Sequence, residues 1–339
     1  MRTFFLLSGE NPALSASELK HLLETLGNTS LVYRIDDRIV ISDVNTATAR
    51  EIVQRAAYTK LAGQLVSEGV SLDQLVFEPG WEGKLPPFKS FDVSVYKIGG
   101  AQANSVDVEK RVAAEVIANV RGARVNLTKP DVSFFVAVSP KICLVGLGLA
   151  VKPKKFFADR KAGKRPFKIP SALQPKLARC LVNLSIRSQR SRILDPFAGS
   201  GAVVVEAGLM GHEAVGLELK TWISNGMRKN VYTYSPSNCH VIQGDAKRLP
   251  FTRAFDSVAT DPPYGRSATL GGTTFKNLIK EFSEAAVKAL EEKARMAITV
   301  PRTHFSDLLE ACSIFKPVEY HDLYVHKSLT RRVVVMVLE

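Results

Sequence analysis

The sequence predicts an α/β protein in which an N-terminal α+β region precedes a doubly wound, Rossmann-like sheet, mostly parallel and ending in an antiparallel hairpin. Three observations carry that expectation. Strand-like and helix-like segments alternate over the last third of the chain, the pattern of a parallel sheet with helices on its faces. The first 68 residues instead read as strand, helix, strand, strand, helix, strand, which suggests a small ferredoxin-like unit. An apolar content of 45% over 339 residues allows two or three domains, each with its own core.

Strands of the first unit (residues 1–68) are expected at Thr3 to Ser8, Leu31 to Arg34, Arg38 to Ser42 and Leu61 to Ser67, and helices at Ser15 to Leu26 and Thr46 to Ala57. Asn11-Pro12 opens the first helix region and Gly27-Asn28 closes it. Leu19, Leu22, Leu23 and Leu26 form its apolar stripe. A second unit (residues 69–150) begins with a Pro/Gly-rich bend at Glu78 to Pro87. It continues with a strand at Phe91 to Lys97, a helix at Val106 to Val120, and strands at Ala123 to Leu127, Val132 to Val138 and Ile142 to Leu147. These two units together carry 16 Lys/Arg against 16 Asp/Glu and no constellation of His, Cys or paired carboxylates, so they read as a positioning module or scaffold.

Charge then changes abruptly. Residues 151–192 hold 13 Lys/Arg against 1 acidic residue, while residues 193–339 hold 17 against 16, so nearly all of the net +13 sits in one short stretch. A polyanion is the partner such a stretch suits. The candidate contacts in a basic linker over residues 151–170 are Lys152, Lys154, Lys155, Arg160, Lys161, Lys164, Arg165 and Lys168. The alternative is a linker that its own charge keeps extended. Phe156, Phe157 and Phe167 interleave with the cations, and such rings can stack on bases or pack against a domain. No apolar run approaches the ~18 residues of a membrane helix, and the Phe4 to Leu7 run is too short and too soon followed by Glu10 for a signal peptide. The expected compartment is the cytoplasm. The four cysteines lie far apart without a C-x-x-C pair, which predicts reduced core residues and no metal site.

The last domain, residues 171–339, supplies strands at Arg192 to Leu194, Ala214 to Leu219, Val241 to Gln243, Ser257 to Thr260 and Ala294 to Val300, and helices at Ala202 to Met210 and Phe275 to Glu292. Asp322 to His326 and Val333 to Leu338, joined by the basic turn Lys327 to Arg332, form the terminal hairpin. Its chemistry collects at strand ends. Asp195-Pro-Phe197-Ala198-Gly199-Ser200-Gly201 turns a strand into a helix, where glycines let the backbone approach a ligand and helix amides favour electron-rich groups. It fits neither G-x-G-x-x-G nor a P-loop, which lowers the case for a pyrophosphate. Glu218 ends the second strand, where ribose hydroxyls are commonly met. Asp245 follows the third, able to accept from an adenine amino group, with Ala246 leaving room for the ring. Each carboxylate alone would pass for a solvated loop residue, but three at successive strand ends are informative together. Asp261-Pro262-Pro263-Tyr264 closes the fourth strand. A carboxylate and a rigid proline carbonyl there can accept both N–H bonds of an aromatic amine and aim its lone pair at an electrophile, with Tyr264 stacked on the base. A Pro-Pro turn with Asp as its cap is the structural alternative.

These residues resemble the amino-methyltransferases whose hallmark is [D/N/S]-P-P-[Y/F/W], and more closely the archaeal THUMP-containing tRNA guanine-10 N2-methyltransferases. The resemblance spans the chain: Phe5 to Glu10; Val125 to Asp131, similar to the pattern of THUMP domains, which bind tRNA; Arg165 to Leu173; Asp195 to Gly201; Asp261 to Gly265; and His326 to Arg331. It implies a class I methyltransferase domain over residues 171–339, a THUMP domain over 69–150, and S-adenosylmethionine held by Asp195, Glu218 and Asp245. Ile169, Pro170 and Ser171 become minor contacts as the preceding segment closes over the cofactor. It also implies tRNA as substrate, with guanine N2 methylated at Asp261. Some relatives work with a small zinc-binding activator subunit on the methyltransferase domain, which makes one a candidate partner. The alternatives are an enzyme acting on another tRNA or rRNA guanine, and a non-catalytic tRNA-binding protein with a retired methyltransferase fold. A DNA adenine methyltransferase would have no reason to carry the N-terminal module, and protein-glutamine methyltransferases usually show Asn where Asp261 stands.

Overall fold

The computed structural model describes residues 1–28, 32–234, 237–265 and 272–339. They divide into two compact units, one made of Met1–Ala16, Asn28–Gln54 and Thr59–Pro153, the other of Ser17–Gly27, Arg55–Tyr58 and Lys154–Glu339. The first unit opens with β1 (Arg2–Leu7), α1 (Pro12–Thr25), β2 (Val32–Asp36), β3 (Ile39–Asp43), α2 (Thr46–Arg55) and β4 (Thr59–Gly69). Helix α1 enters this unit only with its first residues. The strands run in the order β4-β1-β3-β2, with β1 antiparallel to both neighbours, Phe4 lying opposite Ile41 and Gly63. This is the ferredoxin-like arrangement. Its sheet continues beyond β4, through β9 (Cys143–Val151), β8 (Val132–Val138), β6 (Ser90–Lys97) and β7 (Arg124–Val125), with β5 (Val76–Phe77) on the side of β4 and α3 (Ser105–Asn119) crossing between β6 and β7. Strand β7 is shorter than its sequence suggests because Asn126 turns the chain, its Oδ1 accepting from the amides of Thr128 and Lys129 at 3.0 and 3.1 Å.

The second unit carries α4 (Pro175–Ser185), β10 (Arg192–Asp195), α5 (Ala202–Leu209), β11 (Glu213–Glu218), α6 (Thr221–Tyr234), β12 (Cys239–Gln243), β13 (Phe255–Thr260), α7 (Phe275–Ala289), β14 (Leu290–Pro301), α8 (Phe305–Ala311), β15 (Phe315–His326) and β16 (Leu329–Leu338). Its strands run in the order β12-β11-β10-β13-β14-β16-β15. The first five are parallel, and β16 is antiparallel to both β14 and β15. The chain winds outward from β10 to β12 and then returns to lay β13 on the other side of β10. A crevice opens at such a reversal, outside the strand ends.

Helix α7 shows why the sheet is stable. Thr274 caps it by accepting from the Asn277 amide at 3.2 Å, and Phe275, Leu278, Ile279, Phe282, Ala286 and Ala289 bury one stripe at helical spacing. Each of the larger side chains contributes about 1.5–3 kcal/mol by leaving water. The helix stops three residues before its expected end, since Leu290 to Glu292 already belong to β14. Helices α4, α6 and α8 are absent from the sequence expectation, and the expected strand position Leu31 lies outside the described residues. All four cysteines are free and buried. Among the described residues no helix is long and apolar enough to cross a membrane.

Candidate active site

The crevice of the second unit is a cleft of about 500 Å³ at the carboxyl ends of β10, β11, β12 and β13. Parallel strands deliver one acidic residue each: Asp195, Glu218, Asp245 and Asp261 all line it. Asp195 is almost fully buried, its Oδ1 accepting from the Thr260 hydroxyl at 2.7 Å and from the Phe197 amide at 3.3 Å. Burial pushes its carboxyl up to about 7, against those hydrogen bonds and with the help of the charges on Asp261 and Glu218. Between Asp195 and α5 the chain makes a tight turn in which the Gly201 amide donates to the Ala198 carbonyl at 2.7 Å. Gly201 sits at φ 84°, and a Cβ there would lie 2.8 Å from Cγ of Met227 on α6. Only glycine meets both demands.

Glu218 faces that turn. Its Oε2 accepts from the Gly199 amide at 3.1 Å and its Oε1 from the Lys220 amide at 3.0 Å. Each oxygen has a further lone pair for a hydroxyl donor. Asp245 accepts from the Lys247 amide at 3.0 Å, and Ala246 beside it is buried. Phe197 packs edge-to-face on Phe282, its ring 5.3 Å away, and Ala198 and Ser200 are buried in the turn. An elongated ligand with a hydroxylated ring, an amino-bearing aromatic ring and a positive charge suits these donors and acceptors, and S-adenosylmethionine has all three.

The Asp261 side chain is only 13% exposed. Thr299 at the end of β14 donates to its Oδ1, and Arg331 of β16 brings Nη2 to 3.6 Å from Oδ2. Burial raises the Asp261 carboxyl from its ordinary range, opposed by the Arg331 charge and the Thr299 hydrogen bond. The same Nη2 donates to the Tyr264 hydroxyl at 3.1 Å. Pro262, Pro263 and Tyr264 line the cleft next to it. Neither Thr299 nor Arg331 stood out in the sequence as a site residue.

Ile169, Pro170 and Ser171 line the same cleft, brought there by a strap that the sequence presents as a linker. The strap is pinned at several points. Asn230 of α6 accepts from the Phe167 amide at 2.9 Å while its Nδ2 donates to the carbonyls of Phe167 and Ser200. The Phe167 ring lies over Gly226, where a Cβ would come within 2.3 Å of it. Arg165 is 2% exposed and donates to the Arg160 carbonyl, the Ser200 hydroxyl and the Leu173 carbonyl.

Arg165 therefore corrects one expected RNA contact: its three hydrogen bonds hold the strap, and no face is left for a polyanion. Arg160 is a second correction. Its Nε lies 2.7 Å from the buried Glu206, which receives Arg179 at the same distance, and its guanidinium rests on the rings of Phe156 and Phe157. Lys152 is half-buried, its Nζ donating to the Val53 carbonyl. Lys154, Lys155, Lys161, Lys164 and Lys168 are exposed. The three phenylalanines are packed within the unit, the second of the two uses the sequence leaves open.

The family of RMKL-like methyltransferase domains matches residues 162–332, and the THUMP domain family matches residues 71–147. A tRNA (guanine(10)-N2)-dimethyltransferase of Methanothermobacter thermautotrophicus is 32% identical, over 100% of this chain and 99% of its own length. A protein of the same name from Pyrococcus abyssi is 33% identical over 96% of each chain. The crystal structure of TrmN from Thermus thermophilus shares the fold across both full chains, with a TM-score of 0.57 at 20% identity. A THUMP domain ahead of an RMKL-like methyltransferase domain, with full-length relatives above 30% identity, shows that the chain belongs to the archaeal THUMP-containing tRNA (guanine-10 N2)-methyltransferase family.

Proposed function

We propose that the protein transfers methyl groups from S-adenosylmethionine to the exocyclic N2 of guanine 10 in tRNA, giving N2-methyl- and N2,N2-dimethylguanosine. The observation that carries this reading is that Asp261 and Tyr264 line one cleft with Glu218 and Asp245, so an amine acceptor and a nucleoside-bearing donor would meet in a single cleft. Glu218 would hold ribose hydroxyls, Asp245 an adenine amino group, and the turn from Asp195 to Gly201 the remainder, with Ile169, Pro170 and Ser171 as the wall beside it. S-adenosylmethionine supplies an electrophilic methyl on a sulfonium when bound.

The protein's own part is to orient and to take a proton. Asp261 and the Pro262 carbonyl accept the two N–H bonds of guanine N2, which localises the nitrogen lone pair, and Tyr264 stacks on the base. The nitrogen that gains a methyl must lose a proton, and the adjacent Asp261 carboxylate accepts it. Burial makes that carboxylate a stronger base than one in water. The guanine must leave its stack to enter the cleft. The exposed lysines at 154, 155, 161, 164 and 168 would hold the RNA backbone near the cleft, in a cytoplasmic enzyme whose residues 69–150 bind tRNA.

Incubation with labelled S-adenosylmethionine and an unmodified tRNA transcript, followed by nucleoside analysis, tests the proposal. N2-methylated guanosine at position 10 is the expected product. Cofactor binding without product would point to a missing zinc-binding activator subunit or another RNA. No cofactor binding would overturn the proposal in favour of a non-catalytic tRNA-binding protein.

A further inference from the structure

We infer that Arg331 is a positioning residue for this methyl transfer, bridging the two ends of Asp-Pro-Pro-Tyr so that Asp261 and Tyr264 face the target base as one rigid unit. The inference rests on the reading of Asp261 and Tyr264 given above. Strand alternation separates Arg331 from its neighbour. Arg332 pairs with Asp322 through two hydrogen bonds of 2.7 and 2.8 Å and lies on the rings of Phe305 and Tyr320, at 4.4 and 4.3 Å. Arg331, one residue earlier on β16, lines the cleft instead and reaches Tyr264 at 3.1 Å and Asp261 at 3.6 Å through a single nitrogen.

The rest of the guanidinium is costly to leave there. Its Nε is buried with no partner among the described residues, and a buried unpaired donor costs about 1–3 kcal/mol. That cost persists because Nη2, at the tip of the long guanidinium arm, meets a carboxylate and a phenol at once. Among the described residues, the groups that set the charge of Asp261 are few. Thr299 donates to one oxygen, Arg331 faces the other, Asp195 is coupled to it through space, and His326 lines the same cleft. Among the described residues Arg331 is the cation in contact, so it keeps Asp261 ionised while the amine is held and ties the Tyr264 hydroxyl to the same nitrogen.

The experiment compares wild type with Arg331→Gln, Arg331→Lys and Arg332→Gln in single-turnover methyl transfer to tRNA across pH, with Asp261→Asn as the inactive reference. Arg331→Gln is expected to slow transfer about 10²-fold at saturating tRNA and S-adenosylmethionine. Its acid limb should move up by about one to two pH units as Asp261 loses its countercharge. Arg331→Lys should keep the acid limb near wild type yet remain slower, because the shorter, freely rotating ammonium keeps the charge but not the fixed planar donor geometry of the guanidinium. Arg332→Gln should lower thermal stability and leave the acid limb in place. An unmoved acid limb in Arg331→Gln overturns the inference. So does a defect confined to tRNA affinity and its salt dependence, which would assign the arginine to a phosphate. An equal displacement in Arg331→Lys overturns it as well. Absence of N2-methylguanosine from wild type would instead remove the underlying reading. Inactivity of Asp261→Asn beside an unaffected Arg331→Gln leaves that reading standing and removes only the inference.

Discussion

Replacing Asp195 by Asn removes a carboxyl group that the folded chain ionises with difficulty. In the unfolded chain this group titrates near ~3.9, whereas burial, with Asp261 and Glu218 nearby, pushes it up to about 7 in the fold. The folded state thus holds its proton over a range where the unfolded state has lost it. The stability this contributes is full below about pH 3.9 and disappears as pH rises through about 7. The gap of about 3 pH units corresponds to about 4 kcal/mol, at about 1.36 kcal/mol per unit. Some two of those units fall between pH 5 and pH 8, or about 3 kcal/mol. Wild type should therefore lose about 3 kcal/mol more than Asp195→Asn over that interval. Urea unfolding without ligands, followed by the fluorescence of Trp222 in a Trp81→Phe background, reads the second unit alone. Parallel pH dependences for the two proteins would refute a buried, proton-holding Asp195.

Four further outcomes are expected. Asp261→Asn should reduce methyl transfer about 10²–10⁴-fold while tRNA binding, measured by filter retention, stays close to wild type; lost binding would make Asp261 structural. Changing Lys154, Lys155, Lys161, Lys164 and Lys168 together to Gln should flatten the log–log salt dependence of tRNA affinity by up to about 4. Arg165→Gln should leave that slope alone and lower stability by about 2 kcal/mol or more, which thermal unfolding and the same binding titration separate. Gly201→Ala should cost about 1–3 kcal/mol from backbone strain alone and weaken S-adenosylmethionine binding in calorimetry, because the new Cβ meets Met227.

The four acidic residues of the cleft are legible in the sequence because each follows an apolar run, and a parallel sheet gathers all such ends at one edge. Arg331 is not, since the turn Lys327 to Arg332 offers three cations and only the period-two alternation of β16 decides which one enters the cleft. The signal exists in hindsight: Arg332 faces the side carrying Asp322, so Arg331 faces the other. Arg165 and Arg160 illustrate the opposite failure. Counting charge treats every cation as solvated, whereas Glu206, a lone carboxylate inside an apolar helix, is the sequence hint that some arginine must be buried with it. Helix α4 does carry a helical period, Lys176, Arg179 and Asn183 lying three and four residues apart, but every residue from Pro175 to Ser185 except Lys176 is buried, so its polar residues pass in the sequence for part of the solvated basic stretch. Helix α6 escapes detection because its polar residues outnumber the few it buries.

The hydrogen bonds that Arg165 and Asn230 make to the strap decide where conformational entropy is lost. Ordering a residue's backbone costs roughly 1–2 kcal/mol, and a free linker across the cleft would lose that entropy at each binding event. Here the segment around Ile169 to Ser171 loses it once, during folding, because Phe167 and Leu173 on either side are already fastened. A molecule entering the cleft meets a wall rather than a tether, and its affinity is not reduced by the ordering of that wall.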